Sequence, residues 1–551
     1  MCNFCCTFAT NYELQRDELR MKKLMIFFAA MAVAMSAAAG WTNPILPYDY
    51  SDPDVIRVGK NYYMTYSTFA CIPGLQILHS RDGVEWSIVD AALSDTVPGY
   101  GHLDACPAGC GVWAPSIRHH QGRFYIYYGD PDIGIFCIRS EKTKTIPCRW
   151  EPAVLVKRGK GLIDPCPLWD SDGRCYLVHA FAGSRAGFKS ALAVCELAQD
   201  GLSVISEDRL VFDGHPDNPT CEGPKFHKKD GYYYIFCPAG GVKTGWQLCL
   251  RSRTVYGPYE WRRVLEQGST NINAPHQGAW VDDKFYHFQD VGTAGRIVHL
   301  QPLRWQDGWP VIGNNGEPAS AEQTNSKLKI KNSKLKIKNS KDKVKNEGTM
   351  YDVQRDDVPR FMDGFWTRTL SPEWQWSGNR KAQYYYLAVE TDSASHMAKD
   401  YLRLFTYPAA DIQTAPNLLL HKIPANTAFT VTARVRFMPR PQGKNPKYNE
   451  EAGLIIHGRQ SRTLPVPADG QWWYARIEVT ESHLCRFFLS TDQKTWTEQG
   501  APFQAVAGEW IGAKVGMYAV RPLVETSSPY KRLDNDAGWL DVDWFEVIAD
   551  S

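Results

Sequence analysis

Asp52-Pro-Asp-Val-Ile-Arg-Val-Gly59, followed by the aromatic run Tyr62-Tyr63-Met64, is the stretch of sequence that decides the fold. Its apolar positions predict a short strand, the glycine predicts a turn, and the aromatic run predicts a returning strand. Such a unit is a β-hairpin. An acid, Asp52, opens the unit.

The same pattern recurs four more times in the first 310 residues. The further units open at Trp113, Asp164, Glu222 and His276, and each continues as a short strand, a turn and an aromatic strand. A repeat of roughly fifty residues with several short strands per unit is typical of a β-propeller, and helical periodicity is nearly absent. The sequence therefore predicts an all-β protein with a five-bladed propeller over residues 41–315.

The residues that open the units are predicted to meet at the propeller axis. They lie on the innermost strands, so Asp52, Trp113, Asp164, Glu222 and His276 would form a ring at one end of the channel. Carboxyl groups that lie close together raise one another's pKa, so one can stay protonated while another is ionised. Hydrolysis of a glycosidic bond needs this combination. A divalent metal held by the carboxylates and His276 is the competing interpretation.

Seven runs of sequence lie in and around these units: Asn43–Leu46, Tyr50–Gly59, Gly111–Ile117, Gly161–Trp169, Glu222–Lys225, His276–Trp280 and Gly295–Leu300. Together they resemble glycoside hydrolase family 43, in the branch of β-xylosidases and α-L-arabinofuranosidases that carry a C-terminal β-sandwich. The resemblance covers about residues 43–312. It implies an enzyme that inverts the configuration of the sugar in a single displacement.

The resemblance also implies roles for the acids. Asp52 would be the general base that activates water, and Glu222 the general acid that protonates the leaving oxygen. Asp164 would be the third acid, which tunes the pKa of the general acid and orients it. Asp54, two residues beyond Asp52 on the same strand, faces the same side at greater depth and is interpreted as structural.

A sugar-binding set follows from the same resemblance. Phe69 and Trp113 would be hydrophobic walls of the terminal subsite, and Arg296 would contact the sugar there. His276 would lie beneath the site, where it can help to hold a cation or a water molecule. The expected partner is an oligo- or polysaccharide, and no cofactor is required.

Strand patterns resume after a lysine-rich segment. Residues 316–350 contain the run Ser326-Lys-Leu-Lys-Ile-Lys-Asn twice in succession, and they are predicted to be a linker. Residues 351–551 contain many short strand-like runs, which predict a concanavalin A-like β-sandwich. Its tryptophan pairs are interpreted as part of the sandwich core in preference to a sugar-binding surface. Asp541 and Asp543 are candidates for a structural calcium site.

The first forty residues predict export. Met21-Lys22-Lys23 is positively charged, Leu24–Ala34 is apolar, and Ser36–Gly40 supplies the small residues of a cleavage site. Met21 is itself a candidate start. No later run is long and apolar enough to span a membrane, so a periplasmic or secreted protein without membrane insertion is expected.

The charge of the chain limits the kinds of partner that the protein is expected to bind. The net charge is +2, yet the lysine-rich segment alone is strongly positive, so the rest of the chain is slightly negative. Nucleic acid is therefore not expected as a partner. Most of the fifteen cysteines are interpreted as small buried hydrophobes, with Cys106 and Cys110 as a candidate disulfide. The oligomeric state is left open.

The leading hypothesis is an inverting exo-hydrolase that releases xylose or arabinose during degradation of xylan and other plant cell-wall polysaccharides. An endo-arabinanase, another propeller glycosidase such as a retaining fructan hydrolase, and a non-catalytic glycan-binding protein are the alternatives. The sequence does not decide which sugar is bound.

Overall fold

The structure is a computed structural model, and it describes residues 41–93, 109–319, 360–391, 398–440, 449–523 and 537–550. The predicted export segment lies outside these ranges, as does nearly all of the predicted linker, and both stay predictions. Within the described ranges, no helix is long and apolar enough to cross a membrane.

Residues 44–319, named here the five-sheet region, form five four-stranded antiparallel sheets where they are described. The first sheet contains β1 (Asp54–Val58), β2 (Asn61–Thr65), β3 (Gly74–Ser80) and β4 (Ser87–Leu93). The second contains β5 (Trp113–His120), β6 (Arg123–Asp130), β7 (Gly134–Arg139) and β8 (Val154–Arg158). The third contains β9 (Leu162–Trp169), β10 (Cys175–Phe181), β11 (Ala191–Leu197) and β12 (Arg209–Asp213). The fourth contains β13 (Lys225–Lys229), β14 (Tyr232–Ala239), β15 (Trp246–Ser252) and β16 (Glu260–Glu266). The fifth contains β17 (His276–Val281), β18 (Lys284–Asp290), β19 (Arg296–Gln306) and β20 (Trp309–Ile312).

Short helical turns interrupt this pattern only at connections. They are α1 (Gly183–Ala186), α2 (Gly241–Thr244) and a 3₁₀ turn at Gly292–Ala294. Each connects the second and third strands of its sheet. These connections emerge at the end of the sheets where the first strands begin, so they border the candidate site.

The first strands of the five sheets are neighbours in a closed circuit. Strand β1 lies beside both β5 and β17, β5 lies beside β9, and β9 lies beside β13. The circuit is completed where β17 packs on β14. Ile45 and Leu46 pair with Val298 in β19, which ties the start of this region to its last sheet. The beginnings of the first strands are thereby brought to one place.

The backbone shows which residues of the five units are equivalent. One residue per unit has a left-handed φ: Asp52 (56°), Ala114 (34°), Asp164 (56°), Gly223 (57°) and Gln277 (48°). A proline follows each of these residues, except in the last unit, where a glycine follows. Trp113, Glu222 and His276 each come one residue earlier. The prediction that all five ring residues occupy one repeated position is therefore wrong. Asp52 and Asp164 occupy the left-handed position itself, whereas Trp113, Glu222 and His276 occupy the position before it.

Residues 360–550, named here the two-sheet region, contain fifteen further strands where they are described. These are β21 (Arg360–Asp363), β22 (Gln375–Trp376), β23 (Tyr385–Thr391), β24 (Ala398–Phe405), β25 (Tyr407–Ala409), β26 (Leu419–Lys422), β27 (Phe429–Met438), β28 (Glu451–His457), β29 (Arg462–Pro465), β30 (Trp472–Val479), β31 (Leu484–Ser490), β32 (Thr497–Glu498), β33 (Phe503–Gln504), β34 (Lys514–Pro522) and β35 (Trp539–Ala549). Further 3₁₀ turns lie at Ala382–Tyr384 and Ile412–Thr414.

Two sheets of this region enclose one core. The larger has the order β23-β24-β35-β27-β30-β31-β32, with β21 beside β35 and β33 beside β31. The smaller has the order β22-β26-β34-β28-β29, with β25 beside β34. Alternate residues of β27, from Phe429 to Phe437, are buried and pack with Leu454 and Met517 of the smaller sheet. This alternation confirms the strand predicted there.

The carboxylates expected to bind calcium are bound by arginines. Asp541 is fully buried, and its oxygens accept hydrogen bonds from Arg403 (2.7 and 3.1 Å) and Arg436 (2.8 Å). Asp543 accepts one from Arg434 at 2.6 Å. Guanidinium groups pair with these carboxylates in the structure, and a calcium site at Asp541 and Asp543 stays a prediction.

The described cysteines are free thiols, and nine of these eleven are buried, which confirms their interpretation as small hydrophobes. Cys106 lies outside the described residues, so its pairing with Cys110 stays a prediction.

Candidate active site

Asp52 lies two residues before β1, at the centre of the circuit of first strands. Its Oδ2 accepts a hydrogen bond from the Ser67 hydroxyl at 2.5 Å, and its Oδ1 lies 3.3 Å from Nη1 of Arg296. The Ser67 oxygen in turn accepts the backbone N–H of Ala114 at 2.7 Å. Asp52 is 6% exposed. A cation and a hydroxyl donor thus hold a buried carboxylate in a fixed position.

Asp164, near the start of β9, faces the same site. Its Oδ2 accepts the backbone N–H of Gly223 at 2.7 Å, and the residue is buried. Burial, together with the negative charges of Glu222 and Asp52, raises the pKa of Asp164 to about 8, against the opposing effects of the Gly223 N–H and Lys225. Asp164 therefore retains a proton at neutral pH.

Glu222 is the acid most open to the solvent. Its side chain is 27% exposed, whereas Asp52 and Asp164 are almost completely enclosed. Its Oε1 lies 3.0 Å from Nε2 of the buried His276, within hydrogen-bond distance. This geometry holds the carboxyl group of Glu222 while its other oxygen stays accessible to a ligand.

His276 has a second nitrogen that faces the interior. Its Nδ1 is buried and has no hydrogen-bond partner among the described residues. No cluster of three or more His, Cys, Asp or Glu side chains with metal-ligand geometry occurs in the described part of the chain. That His276 helps to hold a cation or a water molecule stays a prediction.

A buried lysine lies below the acids. The Nζ of Lys225 donates hydrogen bonds to the Pro115 carbonyl (2.8 Å) and to the Ser116 hydroxyl (3.0 Å). Its positive charge lowers the pKa of Asp164. The sequence analysis missed this role, although a lysine at the start of a strand that lines the axis is a signal in itself.

Asp54 takes no part in the cluster of acids. Its Oδ2 accepts hydrogen bonds from the N–H of Ile117 and from Arg118, both at 2.7 Å. These bonds join β1 to β5 deeper in the protein. They support the structural interpretation of Asp54.

The aromatic residues predicted as walls lie together at one side. The rings of Phe69 and Trp113 are 6.3 Å apart and nearly perpendicular. Phe69 pairs through its backbone with Val112, and the indole N–H of Trp113 donates to the Gly109 carbonyl at 2.8 Å. The Arg185 guanidinium lies 5.6 Å from the Trp113 ring. Backbone pairing and cation–π contact thus hold this wall in position.

Residues of both regions of the protein meet near Arg296. The Arg296 guanidinium lies 4.7 Å from the Phe288 ring and 5.9 Å from the ring of Trp510, which belongs to the two-sheet region. Trp510 has a left-handed φ of 62° and is 46% exposed. A methyl group on Gly109 would lie 3.2 Å from its indole. Trp510 therefore lies at the rim, between Gly109 and Arg296.

The structure brings every sequence-predicted site residue to one place. Arg296 contacts Asp52, His276 contacts Glu222, and Asp164 accepts the backbone N–H of the residue after Glu222. Ser67 connects Asp52 to the strand that begins with Trp113. Ser67, Lys225 and Trp510 are the members that sequence reasoning missed. A cluster of three carboxyl groups next to aromatic walls provides the groups required for hydrolysis of a glycosidic bond.

Comparisons with known proteins show the family to which the chain belongs. The profile of glycosyl hydrolases family 43 matches residues 41–310, and the profile of the beta xylosidase C-terminal concanavalin A-like domain matches residues 362–466 and 457–547. A protein of Xylanibacter ruminicola named as a candidate beta-xylosidase is 34% identical over 491 residues, which are 85% of this chain and 84% of that protein. The chain therefore belongs to glycosyl hydrolase family 43 and is a glycoside hydrolase.

Other relatives span most of the chain as well. A beta-xylosidase of Formosa agariphila is 26% identical and aligns over 93% of this chain and 90% of its own length. A non-reducing end alpha-L-arabinofuranosidase of Bacteroides ovatus is 28% identical, with 77% of this chain and 75% of that protein covered. The crystal structure of a family 43 protein from Bacillus licheniformis superimposes with a TM-score of 0.69 at 22% identity, over 93% of this chain and all of that one. At that identity the likeness shows the fold alone.

Proposed function

We propose that this protein is an inverting exo-glycoside hydrolase that releases xylose or arabinose from plant cell-wall polysaccharides or oligosaccharides. The observation that carries the proposal is the contrast among three neighbouring carboxyl groups. Asp52 is buried against a cation, Asp164 is buried with a pKa of about 8, and Glu222 is open to the pocket. The names of the relatives, beta-xylosidase and alpha-L-arabinofuranosidase, support the choice of sugars.

The proposed mechanism assigns one step to each acid. Glu222 protonates the glycosidic oxygen. Because Asp164 holds a proton nearby, the pair of Asp164 and Glu222 has a proton available at neutral pH. Asp52 removes a proton from a water molecule as that water attacks the anomeric carbon from the opposite face. The carbon–oxygen bond to the leaving group breaks as the new one forms, so the configuration inverts. Solvent then takes the proton from Asp52 and returns one to Glu222.

The proposed sugar site is a pocket closed on several sides. Phe69 and Trp113 form one wall, Trp510 stands at the rim, and Arg296 reaches the floor beside Asp52. Such a pocket suits one terminal sugar of a chain. We also propose that the five sheets are the blades of a five-bladed propeller, which the closed circuit of first strands supports.

A substrate panel tests the proposal. Wild-type protein and Glu222→Gln are assayed on aryl β-D-xylopyranoside, aryl α-L-arabinofuranoside, xylo-oligosaccharides and arabinan. We expect single pentoses from the wild type and almost none from the variant. Release of oligosaccharides from arabinan would instead indicate an endo-arabinanase. Oligosaccharide binding in a calorimeter with no turnover would indicate a glycan-binding protein and contradict the proposal.

A further inference from the structure

Asp49, in the segment that leads to Asp52, contacts both regions of the protein. Its Oδ1 accepts the backbone N–H of Arg296 at 2.9 Å and the Ser51 hydroxyl at 3.2 Å. Its Oδ2 accepts the backbone N–H of Gly512 at 2.9 Å. The carboxylate is 4% exposed. One buried side chain thus connects the backbone of a pocket residue to a loop of the two-sheet region.

The surrounding backbone is packed too closely for larger residues. A methyl group on Gly295 would lie 2.5 Å from the Asp49 carboxyl, and one on Gly512 would lie 2.6 Å from the Ala294 carbonyl. Ala513 N–H donates to the Thr293 carbonyl at 2.8 Å. The loop that carries Trp510 is therefore seated directly on the turn that precedes Arg296.

Trp510 is held in a conformation that a free loop would not favour. Bulky residues rarely adopt a left-handed φ, and one that is half exposed gains little burial in return. The contacts of Gly512, two residues further on, provide the restraint. Strained residues of this kind concentrate at ligand sites.

We propose that Asp49 is a positioning residue for the sugar pocket, because its carboxylate fastens the loop Gly508–Gly512 to Arg296 and so keeps Trp510 at the rim. The inference rests on the proposed function for its substrate. Asp49 itself touches no sugar. Its effect is on substrate binding, through the distance between the Trp510 indole and Arg296.

Asp49→Asn separates the two attachments. An amide offers one oxygen and one N–H₂ group. The oxygen keeps the bonds to Arg296 and Ser51, which leaves the N–H₂ group facing the N–H of Gly512, where two donors repel. We expect the loop to loosen and KM for an aryl pentoside to rise about tenfold, the cost of losing one aromatic anchor, with kcat changed far less.

Three further variants make the test specific. Trp510→Ala should raise KM similarly, and in the double variant the second change should add little, because both remove one contact. Asp363→Asn is the matched control, since Asp363 also accepts two N–H groups, from Phe365 (2.7 Å) and from the Trp374 indole (2.8 Å). It should lower stability and leave KM unchanged.

Amide hydrogen exchange decides the inference independently of turnover. Peptides that cover Gly508–Ala513 should exchange faster in Asp49→Asn than in the wild type, and not in Asp363→Asn. If Asp49→Asn is folded with unchanged exchange and KM, or if its effect adds fully to that of Trp510→Ala, the inference is overturned. If the wild type releases no pentose, the proposed function fails, and the exchange data still decide the role of Asp49. Should Asp49→Asn fail to fold, an unchanged KM in Trp510→Ala would overturn the inference.

Discussion

Two buried carboxylates, one in each region, have opposite surroundings. Asp541 in the two-sheet region is bound by Arg403 and Arg436. Among the described residues, no arginine contacts the oxygens of Asp164 in the five-sheet region; it lies near Glu222 and Asp52 instead, and its pKa is raised to about 8. Both are enclosed to a similar degree, so burial alone does not distinguish them.

The difference lies in what compensates the charge. The arginines that pair with Asp541 make it a cross-link between strands. Asp164 is left near other carboxylates, and the cluster can hold and release a proton near neutral pH. Uncompensated acids that share a pocket therefore mark the site of chemistry, while acids paired with arginine stabilise the fold.

The largest expected effect is the loss of catalysis when a reacting acid is neutralised. Glu222→Gln and Asp52→Asn should each lower kcat by about 10³-fold, within the range that general acid–base catalysis contributes. Asp541→Asn is the matched control and should keep kcat within about twofold. Initial rates on an aryl pentoside measure all three. If Asp541→Asn lowered kcat as much as Glu222→Gln does, the proposed difference between the two regions would be wrong.

Asp164→Asn should lower kcat by about 10²-fold, because the proton reserve beside Glu222 is lost. It should also change how stability depends on pH. The raised pKa means that the folded protein binds this proton more tightly than the unfolded chain does. The stabilisation is complete at low pH and is lost as the pH rises toward about 8.

An asparagine at this position has no carboxyl group and does not titrate. Relative to the wild type, Asp164→Asn should therefore gain a few kcal/mol of unfolding free energy between about pH 5 and pH 9. Urea denaturation at both pH values measures the gain. A difference between the two proteins that is the same at both pH values would show that Asp164 is ionised throughout.

Asp541→Asn should reduce stability at every pH. It leaves Arg403 and Arg436 without their shared partner, and since these arginines are 25% and 20% exposed, solvent relieves part of the cost. We expect a loss of about 1–3 kcal/mol, below the figure for fully buried pairs. Urea denaturation at pH 7 measures it. An unchanged midpoint would mean that the arginines find other partners.

Lys225→Met should produce the smallest effect. Removal of the positive charge raises the pKa of Asp164, so the alkaline limb of kcat/KM should move upward by roughly half a unit. Lys229→Met, which changes a partly exposed lysine on the same strand, is the control and should leave the limb in place. A downward shift in Lys225→Met would contradict the sign of the coupling.

The strands could be predicted because their signals are local. The hairpin that follows Asp52 and the alternation in Phe429–Met438 are both strands in the structure. The register of the units could not be predicted correctly, because it depends on a left-handed backbone at residues such as Ala114 and Gly223. A search of the sequence for reactive side chains selects the preceding residue in each case.

Other features could not be predicted because they depend on contacts between segments that are distant in sequence. Nothing near Asp541 in sequence indicates that Arg403 and Arg436 flank it, so these ion pairs could not be predicted. Trp510 and Asp49 were missed for the same reason, since they meet only when the two regions pack together.

Proton NMR of the first sugar released tests the central claim most directly. With an aryl β-D-xylopyranoside as substrate, an acid at Glu222 and a base at Asp52 acting on opposite faces should yield α-xylose first, which then mutarotates. If arabinofuranosides are preferred, an aryl α-L-arabinofuranoside should yield β-arabinofuranose first. Release of the anomer that retains the configuration of the substrate would contradict the roles proposed for the three acids.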